Sequence, residues 1–158
     1  MSENRMPTGT RAPTFTTLST TAGDTVAFDH YGMQGDPAVL FIAGAGPTRA
    51  DDAGTSETAR LIAERGFQAS VHDRIGRGDS AAPGPISLER ELLAIEAIAS
   101  FLGGPVVLVG HSSGCAIAIK AADRIEKLAG LVLWEAPIGQ FTAGAPQWWK
   151  DVESNIER

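Results

Sequence analysis

Two adjacent serines lie between glycines in Gly110-His111-Ser112-Ser113-Gly114. A serine hydroxyl is a weak nucleophile until a base takes its proton. The oxyanion it creates then needs hydrogen-bond donors. The G-x-S-x-G spacing answers part of that need. It puts Ser112 on a sharp turn with its hydroxyl exposed, and the small residues at 110 and 114 relieve the crowding of such a turn. The apolar run at 106–109 before it reads as a strand buried on both faces. Residues 114–123, small and apolar, read as a helix whose N-terminus adds partial positive charge where an oxyanion would form. A glycine-rich turn with two capping serines is the competing reading. Cys115 is a conceivable rival nucleophile, because helix N-termini favour thiolates. It reads better as a small buried filler.

The elements that must hold this turn follow from the pattern along the chain. Residues 14–18 and 25–31 carry β-branched and aromatic side chains on either side of Ala22-Gly23-Asp24, which predicts a hairpin-like pair. The run AVLFIA at 38–43 predicts a buried strand ended by Gly44-Ala45-Gly46-Pro47. A helix is expected over 56–65 from the stripe Ala59, Ile62 and Ala63, with Gly66 as its stop. A short strand follows at 67–72, then a loop rich in Gly and Pro. Residues 87–102 give the strongest helix, with Ser87 as cap and Leu88, Leu92, Ile95, Ala99 and Leu102 on one face. The last clear strand is 131–134. Strands alternating with helices predict an α/β fold, a mostly parallel sheet flanked by helices on both faces.

Bulk composition narrows the function classes. The chain has 158 residues and a net charge of −6, with 43% hydrophobic and 20% charged residues. That is an ordinary balance for a globular domain able to bury a core. An acidic chain does not suit a phosphate backbone, so no nucleic-acid partner is expected. No apolar run approaches the roughly 18 residues of a membrane span. The single cysteine cannot form an internal disulfide. Together with the absence of a secretory-type apolar segment near the start, this suggests a cytoplasmic setting. Neither a metal site nor a cofactor is expected. Residues 1–13 read as a disordered lead-in, 14–146 as a core, and 147–158 as the start of one more helix.

Two further segments join the serine turn in one resemblance. Asp73-Arg74-Ile75-Gly76-Arg77-Gly78-Asp79-Ser80 resembles the D-x-R-G-x-G-x-S loop of α/β-hydrolases, with Ile75 set between Arg74 and Gly76. Ala43-Gly44-Ala45 resembles their His-Gly-x turn, with Ala43 in place of His. The chain is thus similar to the small esterase-like or haloperoxidase-like branch of the α/β-hydrolase superfamily, from about residue 15 onward. The resemblance implies Ser112 as nucleophile and the backbone N–H groups of Ser113 and Ala45 as oxyanion hole. It implies a small-molecule substrate, an ester with an apolar group, cleaved through an acyl-enzyme. The Asp73 loop is expected to be structural, with Asp73 holding backbone amides and Arg74 pairing with Asp73 or with another carboxylate. The other possibility is that Asp73 orients a catalytic group.

The same resemblance exposes a gap. The family order is serine, then acid, then histidine. The histidines here, His30, His72 and His111, all precede Ser112. His30 and His72 fall in strands, and His111 occupies the variable position of the serine turn. Glu135, at the end of the last strand, is a candidate acid or else a loop-bracing carboxylate. The family's sheet has more strands than can be counted here, and Leu131 to Trp134 would form an apolar edge that proteins seldom leave bare. The chain is therefore expected to be the N-terminal portion of a longer hydrolase, with 14–146 as its incomplete core and 147–158 as the start of a cap, or to cover that edge by pairing with a second copy. Trp134, Phe141, Trp148 and Trp149 suggest an apolar pocket or simply core packing.

Two rival functions remain. One is a non-catalytic or inactive member of the same fold. The other is a dinucleotide-binding oxidoreductase, from Gly44-x-Gly46 after a strand and Asp73 after the next. Arg49 stands where that fingerprint needs its third glycine.

Overall fold

The computed structural model of the chain describes residues 12–32 and 38–137. The expected lead-in (all but its last two residues), the tryptophans at 148 and 149, Phe141 and the cap at 147–158 lie outside the described residues. Six strands form one sheet in the order β1-β2-β4-β3-β5-β6. They are β1 (Thr14–Ser19), β2 (Thr25–Tyr31), β3 (Ala38–Ile42), β4 (Gln68–His72), β5 (Val106–His111) and β6 (Leu128–Trp134). β1 and β2 form the expected antiparallel hairpin, and β2 also runs antiparallel to β4. The pairs β3·β4, β3·β5 and β5·β6 are parallel. The mostly parallel α/β architecture is therefore present.

Helix α1 (Ala53–Ala63) follows β3, α2 (Leu88–Leu102) follows β4, and α3 (Ser113–Ala122) follows β5. Helix α1 starts three residues before the position read from sequence. The start signal is Asp52, whose Oδ1 accepts from the Thr55 amide at 3.0 Å. Such a cap satisfies a first-turn N–H that the helix itself cannot. Ser87 caps α2 as expected. β6 begins at Leu128 rather than 131, because a register shift at Val106/Val107 lets it pair with the start of β5.

Alternation along the strands divides the core in two. Leu40, Ile42, Val106 and Leu108 face α2 and α3, where they meet Leu92, Ile95, Ile98, Leu102 and Ile117. Each fully buried Leu or Ile there is worth about 1.5–3 kcal/mol in transfer from water. On the other face, Val71 and Ala69 pack on Ala59 of α1, with Phe41 and Ile62 partly buried beside them. That second face is thinner. Val109 and Phe41 are only half-buried, and Leu131, Val132, Leu133 and Trp134 of β6 are exposed. The apolar edge expected from the sequence is thus bare among the described residues. Ile75, the residue that departs from the loop pattern, is fully buried in the main core.

Candidate active site

The turn at Ser112 forms where β5 hands over to α3. Ser112 has φ 51° and ψ −122°, a left-handed conformation that a side-chain-bearing residue rarely adopts. Its own N–H donates to the Trp134 carbonyl at 2.9 Å, and its carbonyl accepts from the Cys115 amide at 3.0 Å. The residue is therefore held from both sides. Its hydroxyl caps nothing and has no hydrogen-bond partner among the described residues. The flanking glycines are required by contact. A Cβ on Gly114 would lie 2.2 Å from the Ile42 carbonyl oxygen, and one on Gly110 would lie 2.7 Å from the Cys115 Cα. The helix thus packs directly on the end of β3.

That contact brings the second turn to the first. A Cβ on Gly44 would sit 3.2 Å from the Ser112 Cβ. The next amide, that of Ala45, has no acceptor among the described residues. The Ser113 amide opens α3, where N–H groups lack intrahelical partners. Ser112, Ser113 and Ala45 therefore lie together at one end of the sheet.

Glu135 also lies at this end, but not as a base-orienting acid with a histidine aimed at Ser112. It is 67% exposed, has φ 53°, and its Oε2 meets His111 Nε2 at 3.1 Å. The His111 ring stacks on Trp134 at 4.7 Å. His72 is buried, with Nδ1 3.0 Å from the Phe41 carbonyl oxygen and Nε2 without a hydrogen bond. His30 is buried beside Ser70 and Phe101. Burial pushes both of these histidines below the ordinary imidazole pKa. None of the histidines hydrogen-bonds Ser112.

Cys115 is buried, and its thiol points at the Gly110 and Trp134 carbonyls at 3.1 and 3.3 Å. Burial raises its pKa, which suits filler rather than a nucleophile. Asp73 is buried and fully engaged. It accepts from the Arg49 and Asp79 amides at 2.8 and 2.9 Å and from Arg49 Nε at 3.1 Å. It braces the loop and is closed to a ribose.

Two side chains, Arg77 and Glu91, gain a place that the sequence reading did not give them, and Arg74 is found on one of the carboxylates open to it. Arg74 pairs with Glu91, not Asp73: its Nε and Nη2 donate to one Glu91 oxygen at 2.9 and 2.7 Å. Its Nη1 donates to the Gly44 carbonyl and to the Ser113 hydroxyl, both at 3.2 Å. Arg77 Nη1 donates to the same Gly44 carbonyl at 3.0 Å. Burial and the neighbouring Arg74 lower the Arg77 pKa. A signal for Glu91 was present: it stands three residues after Leu88 and four before Ile95, on the buried stripe of α2.

A cavity of about 610 Å³ lies between α1 and the thinner sheet face. Phe41, Val71, Val109, His111 and Trp134 line it, and Ser112 does not. Its apolar floor is the uncovered face of the sheet, so it does not mark the chemistry at Ser112. Among the described residues no cluster of His, Cys, Asp or Glu could hold a metal ion, and no helix is long and apolar enough to cross a membrane.

Comparison with known proteins places this geometry. No curated protein matches the chain. Among solved structures, an alpha/beta hydrolase from Sphaerobacter thermophilus is 30% identical with a TM-score of 0.68, over 88% of this chain and 53% of that one. An epoxide hydrolase from Vigna radiata is 25% identical with a TM-score of 0.66, over 79% and 40%. Epoxide hydrolase A from Mycobacterium thermoresistibile shares the fold at 20% identity, with a TM-score of 0.66 over 77% and 38%. The chain thus spans about half, or less, of the length of these structures. A family model described as "Alpha/beta hydrolase family" matches residues 12–156. The chain belongs to the alpha/beta hydrolase family.

Proposed function

We propose that this chain carries the nucleophile and the oxyanion hole of a serine hydrolase that cleaves a carboxylic ester. The observation that carries the reading is the φ of 51° at Ser112, held at a strand-to-helix junction with its hydroxyl free. Strain of this kind is retained where a side chain must be aimed. Ser112 Oγ attacks the ester carbonyl, and the N–H groups of Ser113 and Ala45 take the oxyanion. Collapse expels the alcohol and leaves an ester on Ser112, which water then cleaves.

The residue type at 112 also argues for acyl transfer over epoxide opening, the activity named for the Vigna radiata structure. A serine that opens an epoxide would make an ether, which water does not readily cleave. A serine that attacks an ester makes a second ester, which turns over. The proton must go to a base, and no described histidine occupies that role. We assign the base to a residue outside those described, and the acid to Glu135 at the end of β6 or to another such residue. A non-catalytic member of the fold is the second reading, favoured by the placement of His30, His72 and His111, none of which hydrogen-bonds Ser112.

The test is labelling with a fluorophosphonate, followed by mass spectrometry. A label on Ser112 that disappears in Ser112→Ala supports the proposal. Labelling that survives that substitution overturns it. Ester turnover that Ser112→Ala abolishes excludes the non-catalytic reading.

A further inference from the structure

We propose that Arg77, together with Arg74 behind it, positions and polarises the Ala45 amide of the oxyanion hole by gripping the Gly44 carbonyl. This inference rests on the reading of Ser112 as nucleophile. The grip is a convergence of two guanidiniums on one oxygen, at 3.0 Å from Arg77 and 3.2 Å from Arg74. The Gly44 C=O and the Ala45 N–H belong to one peptide group. That group is planar and trans, so its carbonyl and its N–H point in opposite directions. Fixing where the oxygen points therefore fixes where the N–H points. Gly44 needs such help, because it lies past the end of β3 and outside any strand ladder.

The grip also has an electronic consequence. Charged donors on a carbonyl draw density from its peptide and make the attached N–H a stronger donor, since chained hydrogen bonds reinforce one another. The effect is largest away from water, and the Arg74 side chain is only 12% exposed. Glu91, 5% exposed on α2, fixes the Arg74 fork through a single oxygen. The remaining Arg74 nitrogen spans both halves of the site, the Gly44 carbonyl and the Ser113 hydroxyl. Arg74 thereby ties the turn after β3 to the start of α3. Neither arginine touches the reacting atoms in this account. Both are positioning residues.

Arg77 is the residue to change. Removing Arg74 would strand the buried Glu91 carboxylate and endanger the fold. Arg77→Met keeps the stem and removes one donor from the Gly44 oxygen. The experiment measures phosphonylation of Ser112 by a fluorophosphonate, resolved into the maximal rate and the half-saturating concentration. Loss of a whole oxyanion donor costs about 100- to 1,000-fold. A donor still present but loosened should cost about 10- to 100-fold in maximal rate, with half-saturation unchanged within about twofold. Arg77→Lys, which keeps a cationic donor, should recover most of that loss.

The second readout is the Ala45 amide resonance, which should move in Arg77→Met even when Ser112 is alanine. Equal maximal rates in the unaltered protein and Arg77→Met overturn the proposal, as does a loss confined to half-saturation. If the unaltered protein does not label at all with its base present, the nucleophile reading fails and the role assigned to the arginines falls with it. A moving Ala45 amide in that case locates the failure in the nucleophile, and a static one locates it in the grip.

Discussion

Replacing Ser112 by glycine should make the protein more stable than replacing it by alanine, against the usual order of those residues. Both substitutions remove the hydroxyl, and that hydroxyl caps nothing, so the pair isolates the backbone. At φ 51° and ψ −122° a residue with a Cβ stores about 1–3 kcal/mol, and glycine stores almost none. Glycine loses more chain entropy on folding, a cost of about 0.5–1 kcal/mol relative to alanine. The difference leaves glycine ahead by about 1 kcal/mol at mid-range and at most about 2.5 kcal/mol. For a chain of this size each kcal/mol moves the thermal midpoint by about 2–4 °C. The assay is urea unfolding followed by tryptophan fluorescence and circular dichroism, compared at equal m-value. Ser113 supplies the control one residue away, because it lies in regular helix. There, at the first helical position, glycine should still be less stable than alanine, by less than the roughly 1 kcal/mol of a helix interior. If position 112 shows the same order as position 113, the strained turn is refuted, and with it the main support for Ser112 as an aimed nucleophile.

Two other perturbations test the surrounding structure. Gly114→Ala places a Cβ 2.2 Å from the Ile42 and 2.8 Å from the Ala43 carbonyl oxygens, which are backbone atoms with little freedom to yield. Overpacking of about 1–3 kcal/mol outweighs the helix-propensity gain of about 1 kcal/mol, so the urea midpoint and the rate of Ser112 labelling should both fall; an unchanged midpoint refutes the close packing of α3 on β3. His72 tests the sheet through pH. Burial lowers its folded pKa below the ordinary 6.5, so the unfolded chain takes up the proton first. Its share of stability is complete above that value and is lost as pH falls from there toward the folded pKa. His72→Gln, which keeps a donor for the Phe41 carbonyl, should flatten the urea midpoint between about pH 7 and 5 relative to the unaltered protein. An equally steep fall in both proteins would place the pH dependence elsewhere.

The backbone half of the candidate site was legible in the sequence, and the side-chain half was not. The reason is the range over which each is encoded. The turn at Ser112 is local: an apolar strand run, a glycine, and small helix-forming residues within a short window specify a strand-to-helix handover. Ser113 follows from the same window. Ala45 needed the resemblance to be found, since nothing within Ala43-Gly44-Ala45 says that this turn meets Ser112. The start of α1 was misjudged for a local reason. Asp52 and Ser56 are both competent caps, and pattern alone does not choose between them.

The arginines and Glu91 show where local reading stops. Gly44 and Arg77 are 33 residues apart, and Arg74 and Glu91 are 17 apart. Their meeting depends on the strand order, which places β3 between β4 and β5. Given that order, the loop after β4 and the turn after β3 must emerge at the same end of the sheet, because the two strands are parallel. A carboxylate on the buried stripe of α2 then calls for a cation, and the loop after β4 offers Arg74 and Arg77. The polar residues of that loop are thus tied to the serine turn by topology. They hold the Gly44 carbonyl, and in the proposed reading this leaves the Ala45 N–H free for the charge that would develop beside Ser112.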